Sequence, residues 1–418
     1  MVIIGSLFFI FGFITWLNGA LIPFLQIICD LNEIEALFVA FCFYISYVVM
    51  ALPMSRILDK TGFHQGMVIG LVIVGIGLIL FVPAAMSEMF SVFLFAQFIL
   101  GTGLTILQTA SNPYVVRVGP ESSAAARIAF MGILNKAAGV LAPALFTVLV
   151  LAEFADVSKS SVDALSLTER AETVSQMADR IIMPYVGMAI AIWALAFCLA
   201  KVSLPAIDAP EDTDSSATSV LQFPQLVLGV VALFFYVGVE VIAGDTIGLY
   251  GSSLGLSGAS SLTSYTMAAM VVGYVVGLFL IPKYFSQVQA LSGSAALGLV
   301  LTTALLFSSD TSTAIAGFLW GWAGVPVIPD SVALIAMLGL SNALCWPTIW
   351  PLALAEVGKF TAKASALLIM GLVGGALLPL AYGLLAEATT AKSAYSCLLV
   401  GYAYIGWYAL IGCKKREW

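Results

Sequence analysis

About a dozen apolar stretches, each long enough to cross a bilayer, run through this chain with short polar breaks between them. A spanning helix needs roughly 20 mostly apolar residues. Lipid offers no partner to backbone N–H and C=O groups, so each stretch must satisfy its own as a helix. The stretches lie near 2–28, 35–56, 66–87, 90–113, 127–151, 181–203, 221–248, 262–283, 288–307, 332–355, 363–386 and 393–412, numbered here as spans 1 to 12. Of 418 residues, 61% are hydrophobic and 9% charged, against about 25% charged in soluble proteins. The chain therefore reads as an all-α membrane protein with twelve transmembrane helices. Residues 2–28 lack a basic n-region and a small-residue cleavage site, so they read as the first span and not as a signal peptide.

The formal net charge of −7 says less than where the charges fall. With the N-terminus cytoplasmic, the inner loops and C-terminus hold Arg56, Lys60, Arg117, Arg127, Lys201, Lys283, Lys359, Lys363, Lys414, Lys415 and Arg416. The outer loops hold only Lys159, Arg170, Arg180 and Lys392. That asymmetry predicts both termini inside. Residues 205–218 (PAIDAPEDTDSSAT) have linker composition, and the polar stretch 152–180 lies outside with a short helix in it. The six cysteines show no paired spacing and read as small apolar residues, and His64 as a solvated loop residue. No histidine or cysteine cluster suits a metal.

The chain echoes itself across the linker. Leu7-Phe8-Phe9-Ile10-Phe11-Gly12 in span 1 parallels Leu233-Phe234-Phe235-Tyr236-Val237-Gly238 in span 7, and Met131-Gly132 in span 5 parallels Met370-Gly371 in span 11. The two offsets differ by 13 residues. The stretch 308–330, whose Trp320 and Trp322 suit a segment lying at the membrane interface, accounts for the difference. Two pseudo-symmetric six-helix bundles follow: residues 1–203 and 221–418, joined by a linker at 204–220, the parallel-repeat arrangement that encloses a midplane site.

Few ionisable residues sit deep within the spans: Lys136 in span 5, and Glu240 and Asp245 in span 7. Buried charge in lipid is expensive and marks a pathway or a pair. Three readings stay open. Glu240 or Asp245 binds a cation or proton that gates the site; Lys136 and Glu240 form a structural ion pair across the cavity; or Lys136 is a fixed cation and transport is uncoupled. Gly12 to Gly19 is seven residues and Gly238 to Asp245 is seven, so Asp245 occupies in the second half the place of Gly19 in the first.

Ser55-Arg56-Ile57-Leu58-Asp59-Lys60-Thr61-Gly62-Phe63-His64, between spans 2 and 3, resembles the loop signature of the major facilitator superfamily, whose acid and base hold the two halves together on the cytoplasmic side. The resemblance implies a conformational-switch set of Arg56, Asp59, Lys60 and Gly62 with Arg117, Glu121 and Arg127 after span 4. Leu17-Asn18-Gly19 in span 1, Asn112-Pro113-Tyr114 ending span 4, Asn135 in span 5 and Cys345-Trp346-Pro347-Thr348-Ile349-Trp350-Pro351 in span 10 together resemble the fucose–galactose–glucose permease family. Fucose/proton symporters of that family carry acids where this chain has Gly19 and Gln108, and Asn135 matches a sugar-binding asparagine. The departures resemble the glucose/galactose branch and its N-acetylglucosamine permeases.

Sugars are read by planar amides and aromatic faces. An amide offers both donor and acceptor, as a hydroxyl requires. The candidate substrate-binding residues are Trp16, Asn18, Gln108, Asn135, Lys136, Tyr236, Glu240, Asn342 and Trp346, with Glu240 and Asp245 for cation coupling. The plain alternative for each amide is a hydrogen bond between helices. The expected protein imports a hexose or related sugar across a bacterial inner membrane, with sodium or a proton as coupling ion and no other cofactor. No phosphate-binding loop of the G-x-x-x-x-G-K type occurs, and no clustered acid, base or metal set supports an enzyme. A sugar uniporter and a non-transporting sugar sensor are the alternatives. The partners expected are a small sugar and the bilayer, with no nucleic acid, and the resemblance implies a monomer.

Overall fold

The computed structural model describes residues 2–117, 124–150, 154, 157, 159–202, 219–281 and 283–418. Regular structure among them is helical throughout. Eleven helices are long and apolar enough to cross a membrane. The remaining crossing is span 2: Glu33–Val49, 17 residues, continued by the first turns of Ala51–Ser87. Pro53 lacks the N–H that the Val49 carbonyl would accept, which explains the break at Met50. Span 3 is the rest of Ala51–Ser87. The chain turns into it at Gly62, whose φ of 75° is left-handed territory that suits glycine. Spans 1, 4 and 5 are Val2–Ile28, Phe90–Arg117 and Ala124–Val150. Span 6 is Leu167–Lys201, and spans 7, 8 and 9 are Pro224–Ser253, Thr263–Leu280 and Gln287–Phe307. Span 10 is Asp330–Ala343 with Cys345–Leu354, broken three residues before Pro347 by the same chemistry as span 2. Span 11 is Thr361–Met370 with Gly374–Ala388, and span 12 is Ala391–Ala394 with Cys397–Leu410.

Span 6 begins well before its apolar run. Ser166 accepts from the Glu169 N–H and the Glu169 carboxylate accepts from Ser166 N–H at 3.2 Å, a capping box that starts the helix in the polar stretch. Its signature, Ser-Leu-Thr-Glu, was present in the sequence. The 308–330 segment does not cross. It holds one short α-helix, Ala314–Leu319, whose Ile315 N–H donates to Asp330 Oδ1 at 2.8 Å, and one 3-10 turn, Gly321–Ala323. Trp320 Nε1 and the Tyr265 hydroxyl both donate to the Pro326 carbonyl. His64 is half-buried, with its Nε2 2.8 Å from the Leu199 carbonyl at the end of span 6, so it is less solvated than its loop position suggests.

The echo in sequence is repeated in packing. A Cβ on Gly12 of span 1 would overlap the Asn135 carbonyl of span 5. A Cβ on Gly374 of span 11 would overlap the Phe234 carbonyl of span 7. The offset that relates Met131-Gly132 to Met370-Gly371 also carries Asn135 onto Gly374. The same two spans thus cross at the same place in both bundles, at backbone contact that only glycine permits. Large apolar side chains such as Met183, Phe197, Phe279, Val300 and Leu384 are exposed on the outside of the bundle, as lipid-facing residues must be. The linker expected at 204–220 lies outside the described residues except Ser219 and Val220.

Replacing Gly374 by Ala should push two backbones apart and cost about 1–3 kcal/mol. Gly187→Ala, with nothing within 4 Å of the added Cβ, should leave stability unchanged or slightly raised. Thermal unfolding of the purified variants in detergent measures both; equal midpoints would contradict the backbone contact.

Candidate functional site

Three helices from both bundles converge on one ion pair. Lys136 of span 5 places its Nζ 2.7 Å from Glu240 Oε1 of span 7. The same oxygen accepts from the Tyr236 hydroxyl at 2.7 Å, one helical turn away on span 7. The Lys136 ammonium also lies 4.3 Å from the centroid of the Trp16 ring of span 1, a cation–π contact. Both charged residues are only 6% exposed. At such burial the ammonium exchanges its water for a carboxylate and an aromatic face, and the carboxylate exchanges its own for an ammonium and a phenol.

An aromatic wall continues from the pair. The Tyr236 and Trp346 rings are 6.3 Å apart, and Trp346 and Trp350 are 5.4 Å apart. Behind Trp16 packs a small apolar cluster of Met267, Met270, Tyr274 and Ala343. Its closeness depends on small residues in span 5: a Cβ on Gly139 would meet Trp16, and one on Gly132 would meet Tyr274.

The amides divide. Asn135 and Gln108 keep part of their surface exposed; Asn135 donates to the Phe8 carbonyl at 3.3 Å and Gln108 to the Tyr47 hydroxyl at 2.8 Å. Asn18 is buried and accepts from Gln97 of span 4 at 2.9 Å, inside the first bundle. Asn342 is fully buried and accepts from Tyr402 of span 12 at 2.9 Å. These two make the interhelical hydrogen bonds that were the plain alternative. Gln97 and Tyr402 were not singled out in the sequence, where nothing separates them from other polar residues in apolar helices.

Asp245 is fully buried, and neither of its oxygens has a hydrogen-bond partner among the described residues. Around it spans 1, 7 and 8 meet closely. A Cβ on Gly19 would overlap the Thr263 hydroxyl, one on Gly248 would come within 3.1 Å of the Gly19 carbonyl, and one on Gly244 would meet Trp16. The seam between the bundles is therefore shut on the face opposite the termini. Trp346, Gln108 and Asn135, toward the face carrying the termini, keep partial exposure.

Of the switch residues, Arg56 and Lys60 are exposed and Gly62 makes the turn between spans 2 and 3. Arg127 donates from Nε to the Val115 carbonyl at 2.9 Å, tying span 5 to the end of span 4. Glu121, with the side chains of Asp59 and Arg117, lies outside the described residues.

Twelve spans in two bundles with a charged, aromatic site at their seam define a secondary transporter fold. Residues 4–379 match the model of the Major Facilitator Superfamily. The glucose/galactose transporter of Brucella abortus (strain 2308) is 33% identical over 415 residues, covering 98% of this chain and 93% of that protein. The L-fucose-proton symporter of Escherichia coli (strain K12) is 24% identical over 396 residues, covering 92% and 86%. The crystal structure of the transporter FucP in the outward conformation superposes with a TM-score of 0.72, at 24% identity, over 98% of this chain and 97% of that one. The chain belongs to the major facilitator superfamily and, within it, to the fucose–galactose–glucose permease family. It is a multi-pass membrane transporter and not an enzyme.

Removing one member of the central pair leaves the other buried and uncompensated, which costs about 3–5 kcal/mol. Lys136→Met and Glu240→Leu should each lower the unfolding midpoint strongly, and the double variant should recover most of the loss. A double-mutant cycle on thermal unfolding checks this; additive losses would contradict a direct pair.

Proposed function

We propose that the protein imports a neutral hexose or related sugar across the bacterial inner membrane by alternating access, in symport with a proton. The observation that carries this reading is the Lys136–Glu240 pair, because one partner belongs to each bundle. A sugar hydroxyl can donate to Glu240 and accept from Lys136 at once, and so replace the direct contact between the bundles with a bridge through substrate. The faces of Trp16, Tyr236 and Trp346 suit the apolar side of a pyranose ring, and Asn135 and Gln108 supply further amide contacts from the first bundle.

In this reading Asn18 and Asn342 hold helices rather than sugar. Bundle boundaries at 1–203 and 221–418, with a linker between them, follow from the span count. Both termini face the cytoplasm, so the observed conformation is shut outward with its site toward the inside. The switch residues Arg56, Asp59, Lys60, Gly62, Arg117, Glu121 and Arg127 then act on the cytoplasmic face, and the protein works as a monomer. Relatives named for proton symport favour the proton over sodium as coupling ion, with Glu240 and Asp245 the two carboxyls within the spans able to take part.

Uptake into proteoliposomes should decide between readings, with glucose, galactose, fucose and N-acetylglucosamine under an inward proton gradient, an inward sodium gradient, and neither. Accumulation above equilibrium is expected with the proton gradient alone. Equilibration under all three conditions would make the protein a uniporter, and binding without exchange of labelled sugar would make it a sensor.

A further inference from the structure

Of the two carboxyls deep in span 7, one is paired. Glu240 Oε1 takes both the Lys136 ammonium and the Tyr236 hydroxyl. Its charge is answered by a cation and its oxygen is already taken as an acceptor. Asp245 stands in the opposite situation. It is fully buried, with no partner for either oxygen among the described residues.

The hydroxyls around Asp245 are committed elsewhere. Thr263 donates to the Gly244 carbonyl at 2.7 Å, Thr266 to the Ala243 carbonyl at 3.2 Å, and Thr246 to the Ile242 carbonyl at 2.6 Å. Few titratable groups face it. Its own helix brings Glu240, already paired. Span 2 brings the Tyr44 phenol. Span 12 brings Tyr395, whose hydroxyl meets that of Thr246. Spans 1 and 8 carry no charged residue, and the acids and bases of spans 10 and 11 (Asp330, Lys363, Glu387) stand near the helix ends. No cation among the described groups answers the carboxylate, and burying it ionised without one is the costly case. A protonated carboxyl carries its own donor and no net charge.

We propose that Asp245 carries the coupling proton, and that closure of the outer seam over it is what couples proton to sugar; this rests on the symport reading above. From the first bundle, the Tyr44 phenol lies within electrostatic reach of Asp245, and span 1 crosses span 7 closely on either side of it, at Gly244 and Gly248. When the bundles part on the outer face, the Asp245 carboxylate meets the outer solution and takes one proton from a hydronium ion, so that one O–H bond breaks there, one forms on the carboxyl and a neutral water is left. The neutral acid can then be sealed as spans 1 and 8 close, whereas the anion resists sealing. When sugar leaves inward and water fills the site, the proton passes to cytoplasmic water and the carboxylate is restored. Gly19 has no room for a side chain in the closed seam, because Thr263 occupies the space. Span 1 therefore cannot supply the acid there, and span 7 does.

Two measurements test this, one of them independent of sugar. Infrared spectra of the full chain in lipid at neutral pH should show a protonated-carboxyl C=O band that Asp245→Asn removes and Glu240→Gln does not. A band lost with Glu240→Gln, or carboxylate bands lost with Asp245→Asn, would overturn the assignment. In proteoliposomes with an inward gradient of one pH unit, one proton per sugar supports about tenfold accumulation. Asp245→Asn, an uncharged stand-in for the protonated acid, should drop this to equilibrium and abolish sugar-dependent proton influx, while exchange of labelled sugar stays measurable. Tenfold accumulation by Asp245→Asn would contradict the proposal. If the unmodified protein exchanges no sugar, the sugar reading fails and the infrared comparison still decides where the proton sits.

Discussion

Lys136 and Glu240 meet in a place where neither charge could stand alone. Each would bear several kcal/mol of lost hydration in an apolar interior, and in a bilayer no water is near to restore it. The 2.7 Å contact, the Tyr236 hydroxyl and the Trp16 face together offset that loss. Because one charge rides on each bundle, the pair can be satisfied directly only when the bundles are close at this depth. Any conformation that parts them must supply other partners, from water or from substrate. A polar solute with several hydroxyls is a fitting substitute, and an apolar one is not. In the proposed function, selectivity for sugar and movement of the bundles are in this sense one electrostatic problem.

The glycines set how the bundles can approach. Gly12 and Gly374 let two helices cross at backbone contact within each bundle. Gly19, Gly244 and Gly248 do the corresponding work between bundles, where span 1 closes against spans 7 and 8. The first set must stay packed and the second must open. Packed interiors have discrete arrangements and little continuous give, so a seam lined by small residues suits a two-state rocking movement.

Much of this was legible in the chain. Twelve apolar runs, their polar breaks and the two offset echoes carry the fold, because lipid allows helices and little else. The seven-residue spacing from Gly12 to Gly19 and from Gly238 to Asp245 pointed to the buried acid of the second half. Residue spacing could not say whether Lys136 touches Glu240, since they lie 104 positions apart and meet only through packing. Nor could it separate Asn135, partly open beside the pair, from Asn342, turned onto Tyr402. A helix face read from one strand of sequence has two or three neighbours, and the choice among them is made by tertiary contact. Span 6 starts earlier than hydropathy indicates, because its capping box precedes the apolar run by several turns.

The central claim is that the two bundles move against one another about the Lys136–Glu240 level, opening one face as the other shuts. Spin labels report it most directly, in a variant with the six cysteines replaced. One pair would sit at Glu33 and Glu387, exposed near the shut face, and another at Lys60 and Lys363, exposed near the terminal face. Pulsed electron-spin distances would be recorded in lipid with and without galactose or glucose. Two populations are predicted, with the first distance lengthening where the second shortens and sugar shifting their ratio. A single distance at each pair, unmoved by any sugar, would contradict the account.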